Sequence, residues 1–249
     1  MAVSRDPAGG DPAGRCRYPR TVSDEVPVDE PAGDASQPRS ISTTLVAIVV
    51  AAVLVLGVGV GVGLTRAGGG DDNEWAGVEL ADVRDKPAIV LSDTDGEPYD
   101  LVRETEGKLT ILFFGYTSCP DVCPANLITI DKALATMAAE VRAATKVVFV
   151  SVDPQRDTPE VIRSYLDSYD REFVGLTGTP AELRRAQDLA AVPEAAYDEP
   201  DEDGFYLVGH SSEMIAYGPD GRAMLTYPFG TRQSDWARDL PRLARGETP

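Results

Sequence analysis

Histidine occurs once in this chain of 249 residues, and cysteine three times. Three cysteines cannot build a disulfide framework, so a scaffold stapled by several bridges is excluded. Basic residues are also scarce. The 23 Lys and Arg stand against 41 Asp and Glu, for a formal net charge of -18. Such a chain lacks the basic footprint that phosphates require, which excludes nucleic acid as a partner. An acidic surface keeps a domain soluble, and it can draw in a metal cation or a basic partner. No internal repeat is visible.

Large apolar residues are nearly missing from residues 1–43, which are rich in Pro, Gly, Asp and Ser. Such a segment cannot offset its ordering entropy and is predicted to be a disordered tail. Cys16 lies in it. Its arginines are mixed with Asp6, Asp11, Asp24, Glu25, Asp29, Glu30 and Asp34, whereas a mitochondrial presequence is poor in acids. Residues 44–64, TLVAIVVAAVLVLGVGVGVGL, are uncharged and almost wholly apolar, long enough for one transmembrane helix. The following TRAGGGDD offers no cleavage site and no cysteine for lipidation, so an uncleaved membrane anchor is expected. The charge of the tail favours an N-terminus on the cytoplasmic side of the cell membrane. Residues 65–79 form a linker rich in Gly and Asp, and residues 80–249 form the folded domain.

In that domain strands and helices alternate. Residues 87–92 and 98–102 suggest a hairpin around Asp95-Gly96. LTILFFGY (109–116) and KVVFVSV (146–152) are continuous apolar runs, as in strands buried on both faces. Residues 124–142 carry Leu127, Ile130, Leu134 and Met137 at helical spacing. Thr158-Pro159 opens a helix to about Tyr169, and 173–178 forms a short strand. Thr179-Pro180-Ala181-Glu182 is a capping box. Strands are expected at 205–208, 212–217 and 222–228, with a turn at Pro219-Asp220-Gly221 and a closing helix over 234–244. The pattern predicts an α/β fold with a central sheet covered on both faces.

The strand 109–116 runs into TSCPDVCP (117–124) and then a helix. Cys119 thus lies at the carboxyl end of a strand, where open α/β sheets keep their sites. With Pro124 at the first helical position, Cys123 falls near the N-cap, where unpaired N–H groups lower a thiol's pKa. Two such cysteines, four apart, can converge on one ion, exchange disulfides, or form a plain bridge. A bridge across so short a loop stabilises little. His210, in GHSS between two strands, is by itself an ordinary surface or hydrogen-bonded histidine, although a loop end can bring it to a site. Joined to the cysteines it would complete a soft set of three donors. That set suits Cu(I) or Cu(II), whereas structural zinc asks for four protein ligands. Asp121 is read as a turn former and Met214 as core. Asp153-Pro154 makes a turn, and Asp157 or Thr158 caps the helix after it.

FFGYTSCPDVCP (113–124), VVFVSVDPQRDTPE (147–160), FVGLTGTP (173–180), GHSS (209–212) and YPFGT (227–231) together resemble the Sco/SenC family, over about residues 80–246. The resemblance implies a thioredoxin-like fold, with copper held by Cys119, Cys123 and His210. It also implies a place in assembling the CuA centre of cytochrome c oxidase, with the CuA-bearing subunit as partner and the domain outside the membrane. The role would be copper donor, thiol reductant of the target's cysteines, or both. In the second role Cys119 and Cys123 are the redox-active pair. Two positions depart from the family pattern: Gly209 stands where Asp is common and Ser118 where His is common. A peroxide reductase would need an arginine in the cysteine loop, and TSCPDVCP has none.

Overall fold

The apolar run LTILFFG becomes the middle of a sheet. In the computed structural model, which describes residues 74–249, it forms β4 (Leu109–Gly115), buried along its whole length. β5 (Thr145–Ser151) lies parallel beside it, Leu109 opposite Thr145 and Gly115 opposite Ser151. β6 (Val174–Thr177) extends the parallel set. On the other side of β4 the direction reverses. β9 (Met214–Tyr217) runs antiparallel to β4, with Met214 opposite Phe113, and β10 (Arg222–Tyr227) returns beside β9. The turn between them uses Gly221 at φ +79°, a left-handed value that costs glycine nothing. β1 (Val78–Asp85), β2 (Val90–Asp93) and β3 (Pro98–Asp100) complete an eight-stranded mixed sheet of order β1-β10-β9-β4-β5-β6-β2-β3.

This arrangement places one pole of the sheet. β4 and β5 both end there, and β9 starts there. The loops after β4, after β5 and before β9 therefore meet at the same end of the molecule.

Helices flank the sheet. α1 (Leu101–Glu104) is one turn, capped by Asp100, which accepts the Val102 and Arg103 N–H groups. α2 (Val122–Ala135) and α3 (Ala139–Ala144) connect β4 to β5. α4 (Pro159–Leu166) packs on β6, and α5 (Pro180–Leu189) opens with the expected box, Thr179 and Glu182 bonding each other's N–H groups. α6 (Gln233–Ala244) packs against α2.

Several expectations are corrected. The single helix over 124–142 is two, because the Thr136 N–H and hydroxyl both bond the Ala133 carbonyl and close α2 with a tight turn. Residues 101–102 turn into α1 instead of prolonging the strand, since Asp100 offers a cap. Of 205–208 only Val208 is in a strand, β8 (Val208–Gly209), paired with β7 (Ala196–Tyr197), which no pattern announced. β1 was also unannounced. Its VELADVRD is mostly exposed, and its charges suit an edge strand. The expected tail (1–43) and membrane span (44–64) lie outside the described residues. Among the described residues no helix is long and apolar enough to cross a membrane.

The approach to β1 is fixed by one buried carboxylate. Asp239 on α6 accepts the Ala76 and Gly77 N–H groups at 2.8 and 3.1 Å and the Tyr227 hydroxyl at 2.9 Å. Tyr227 in turn stacks on Trp236, ring centroids 3.9 Å apart. Replacing Asp239 by Ala would leave these donors unpaired in the interior. Asp239→Ala is expected to lower unfolding free energy by about 3 kcal/mol in urea titrations. A loss under about 1 kcal/mol would contradict this account of the edge.

Candidate metal centre

The chain leaves β4 at Gly115 and turns at once, the Cys119 N–H donating to the Tyr116 carbonyl at 3.2 Å. Asp121 caps α2, its carboxylate taking the Val122 N–H at 2.6 Å, so it serves as a cap and not as an ion ligand. The helix thus begins two residues earlier than Pro124 alone suggests. Cys123 is the second helical residue and Pro124 the third, where proline is still tolerated.

That shift decides the character of the two thiols. Cys123 is fully buried and packs on the end of β4. A Cβ placed on Gly115 would stand 2.6 Å from the Cys123 Sγ and 2.8 Å from the Phe149 ring, so only glycine fits there. Burial pushes the Cys123 thiol up, and the neighbouring Cys119 sulfur adds to the effect. Cys119 sits just outside the helix with its sulfur over the first turn, and the Cys123 N–H points to its Sγ at 3.5 Å. A hydrogen bond from the Cys123 side chain, then those from the backbone N–H groups of Cys123 and Asp121, hold the Cys119 thiol well below the ordinary range, against a burial effect of opposite sign. The lowered pKa expected for Cys123 therefore belongs to Cys119. The helix start acts on the sulfur that faces it, while the one inside the helix is desolvated. Cys119 is thus the readier of the two to ionise, and both cysteines are free.

His210 arrives from the other side, in the loop before β9. Its Nδ1 lies 2.8 Å from the Ser211 carbonyl. A carbonyl can only accept, so Nδ1 carries a proton, and in the neutral ring Nε2 is then the nitrogen with the lone pair. Nε2 stands 3.5 Å from the Cys123 Sγ. The imidazole sits among aromatic rings, with Tyr116 edge-on at 5.5 Å and Phe113 at 6.1 Å between centroids. The two Sγ atoms and a ring nitrogen of His210 all lie within 4.8 Å of one another. The structure thus brings together all three residues singled out in the sequence. This donor set, two sulfurs and an imidazole with its free nitrogen turned inward, fits a soft ion such as copper. Met214 is buried in the core.

Three residues around the centre escaped the sequence reading. Asn126 donates to the Ser212 carbonyl at 2.9 Å and ties α2 to the histidine loop. Its place three residues after Cys123, on the same helix face, was the signal. Asp157 does not cap α4, since Thr158 does. Its buried carboxylate takes the Thr117 N–H at 3.0 Å and the Thr117 and Ser151 hydroxyls at 2.6 Å, fastening the cysteine loop to the loop after β5. Tyr206 bonds the Asp153 carboxylate at 2.8 Å. Asp153 therefore makes its expected turn and reaches across to the histidine strap as well.

The unequal thiols have a direct chemical consequence. In the metal-free, reduced chain at about pH 7, iodoacetamide is expected to label Cys119 at least ~10-fold faster than Cys123, read by peptide mass. Because the Cys119 pKa is lowered, its rate should stay nearly level from about pH 8 to about pH 6, where an ordinary thiol slows about tenfold per unit. Equal labelling of the two would contradict the assignment.

Comparison with known proteins gives the chain's relatives. A family model described as SCO1/SenC matches residues 85–245. The Arabidopsis thaliana protein SCO1 homolog 1, mitochondrial, is 37% identical over 134 residues, 50% of this chain and 40% of that protein. The chain spans between 40% and 66% of the length of the curated relatives it matches. Among solved structures, Bradyrhizobium japonicum ScoI with copper bound is 34% identical with a TM-score of 0.57, covering 64% of this chain and 98% of that one. Apo Sco1 from Thermus thermophilus is 32% identical with a TM-score of 0.61, covering 70% and 99%. The mixed sheet flanked by helices is the thioredoxin-like fold of these Sco structures. The family match takes in well over half of the chain and both parts of the site, and the chain belongs to the SCO1/SenC family.

Proposed function

We propose that this chain is a membrane-anchored copper-binding metallochaperone that helps to assemble the CuA centre of cytochrome c oxidase. The observation that carries the reading is the convergence of Cys119, Cys123 and His210, with their donor atoms within 4.8 Å of one another. The copper held by the related Bradyrhizobium protein supports the choice of ion. Cys119 and Cys123 would supply thiolate sulfur, and His210 would supply Nε2. Cys123, protonated in the free protein, gives up its proton on binding. The cargo is Cu(I) or Cu(II), and the recipient is the CuA-bearing oxidase subunit. The apolar residues 44–64 anchor the chain in the cell membrane, with the N-terminus cytoplasmic and the domain outside, where the oxidase's CuA-bearing domain stands.

A second reading rests on the inequality of the two thiols. A readily ionised thiol beside a more deeply buried one is also the pairing of attacking and resolving cysteines in thiol–disulfide exchange. In that role the protein would reduce cysteines of the oxidase subunit or of other extracytoplasmic targets, and the imidazole would be dispensable.

One set of variants separates the two. The reduced full chain is expected to bind about one copper, measured by competition with a Cu(I) chelator. Cys119→Ala and Cys123→Ala should each weaken binding by about 100-fold or more, and His210→Ala by about tenfold or more. Oxidase activity in cells should fall with all three. A wild-type chain that binds no copper would overturn the chaperone reading. Full oxidase assembly with His210→Ala would transfer the function to thiol reduction.

A further inference from the structure

The segment Asp153–Thr158 carries a side-chain cluster that a turn and a helix cap do not use up. Asp153 is fully buried, and its carboxylate takes Arg156 Nε at 2.5 Å and the Tyr206 hydroxyl at 2.8 Å. Arg156 lays its guanidinium over the Tyr206 ring, 3.6 Å from the centroid, and donates Nη1 to the Tyr206 carbonyl at 2.9 Å. Tyr206 is thus gripped at its hydroxyl, its ring and its backbone by two residues of the loop after β5. The same guanidinium lies 5.5 Å from the ring of Tyr116, the residue whose edge faces His210.

Tyr206 lies four residues before His210, in a strap that leaves the body at β7 and returns at β8. Upstream of Val208 the strap has few other ties to the body. Its ladder has two residue pairs, Ala196 with Gly209 and Tyr197 with Val208. Its apolar side chains Phe205 and Leu207 are 49% and 40% exposed, so burial does not anchor them. Asp198 to Asp203 are exposed acids and their neighbours. The last residue before His210 is Gly209, the least restrained backbone a chain can have. The remaining ties are the buried Val208 side chain and hydrogen bonds from the Val208 N–H to the Tyr116 hydroxyl at 3.3 Å and from the Tyr197 hydroxyl to the Val152 carbonyl. On the downstream side Asn126 already holds Ser212.

We infer that Arg156, braced by Asp153, is a positioning residue for His210: it clamps the strap through Tyr206 and thereby sets where the imidazole stands against the two sulfurs. Arginine suits the task because its flat, forked group can stack on a ring while bonding a carboxylate and a carbonyl in its own plane. A lysine ammonium can keep the charge but cannot hold that geometry. The copper part of the test below rests on the chaperone reading, and the metal-free part does not.

The single histidine makes the position of the ring directly visible, since one pair of ring resonances belongs to it. In the metal-free full chain with ¹³C-labelled histidine, the ring protons of wild type are expected to be displaced by the Tyr116 and Phe113 rings. Arg156→Ala should move them toward free imidazole, Tyr206→Phe should move them less, and Arg156→Lys should not restore them. Tyr206→Phe keeps the ring and loses only the hydroxyl, so it decides the matter if Arg156→Ala does not fold. Unmoved ring resonances in a folded Arg156→Ala or Tyr206→Phe chain would overturn the inference.

Copper affinity gives a second readout. Arg156→Ala should weaken copper binding by about tenfold in the wild-type background and cause no further loss in a His210→Ala background. A loss of the same size in both backgrounds would show that Arg156 does not act through His210 and would overturn the inference. A wild type that binds no copper would sink the chaperone reading, while the ring resonances still decide the role of Arg156.

Discussion

The packing of the Cys123 sulfur on the bare backbone of Gly115 is the constraint from which the rest of the site follows. With no side chain at that position, α2 begins directly against the end of the central strand, and its second residue is already in the core. The first helical N–H groups then face the sulfur of Cys119, which remains outside the helix. The sheet completes the arrangement. β4 and β5 end at this pole and β9 starts there, so the loop before β9 delivers His210 to the place where the cysteines stand. No single element holds the site. It is the meeting of three loops at one sheet end, as in other α/β folds whose ligands sit beyond the carboxyl ends of parallel strands.

The two sulfurs are chemically unequal because one faces a helix start and the other lies within the helix, packed against the end of the strand. A thiolate that can attack beside a thiol that is slow to ionise would serve disulfide exchange as well as metal capture. His210 approaches the pair from the other side. Its proton is committed to the Ser211 carbonyl, and its lone pair is turned to Cys123. Held so, the ring offers a third donor to a soft ion. The surrounding polar bonds, Asp157 to the cysteine loop and Asn126 and Arg156 to the histidine strap, act on the loops that carry the donors.

Much of this was legible in the sequence where the physics is local. The buried runs 109–116 and 146–152, the Thr179–Glu182 box and the strand–loop–helix around the cysteines all declared themselves through near neighbours. The misreadings share a cause, which is that the deciding partner is distant. Nothing near Asp157 announces that its carboxylate binds Thr117, 40 residues away, or that Arg156 reaches Tyr206, 50 residues away. Both look like turn and cap residues, and in part they are. β7 and β8 are two residues each and have no periodicity to detect. Pro124 as the first helical residue puts the lowered pKa on Cys123, whereas the true cap, Asp121, stands two residues from each cysteine and leaves only Cys119 outside the helix. His210 had no local signature. Family resemblance singled it out, and the geometry brings it to the sulfurs.

The central claim is that two sulfurs and one imidazole nitrogen converge to hold a single soft ion. X-ray absorption at the copper edge of the loaded full chain measures this most directly. The account expects two sulfur neighbours and one nitrogen neighbour, with the nitrogen signal lost in His210→Ala and one sulfur lost in either cysteine variant. A copper bound by sulfur alone, or a spectrum unchanged by His210→Ala, would contradict it.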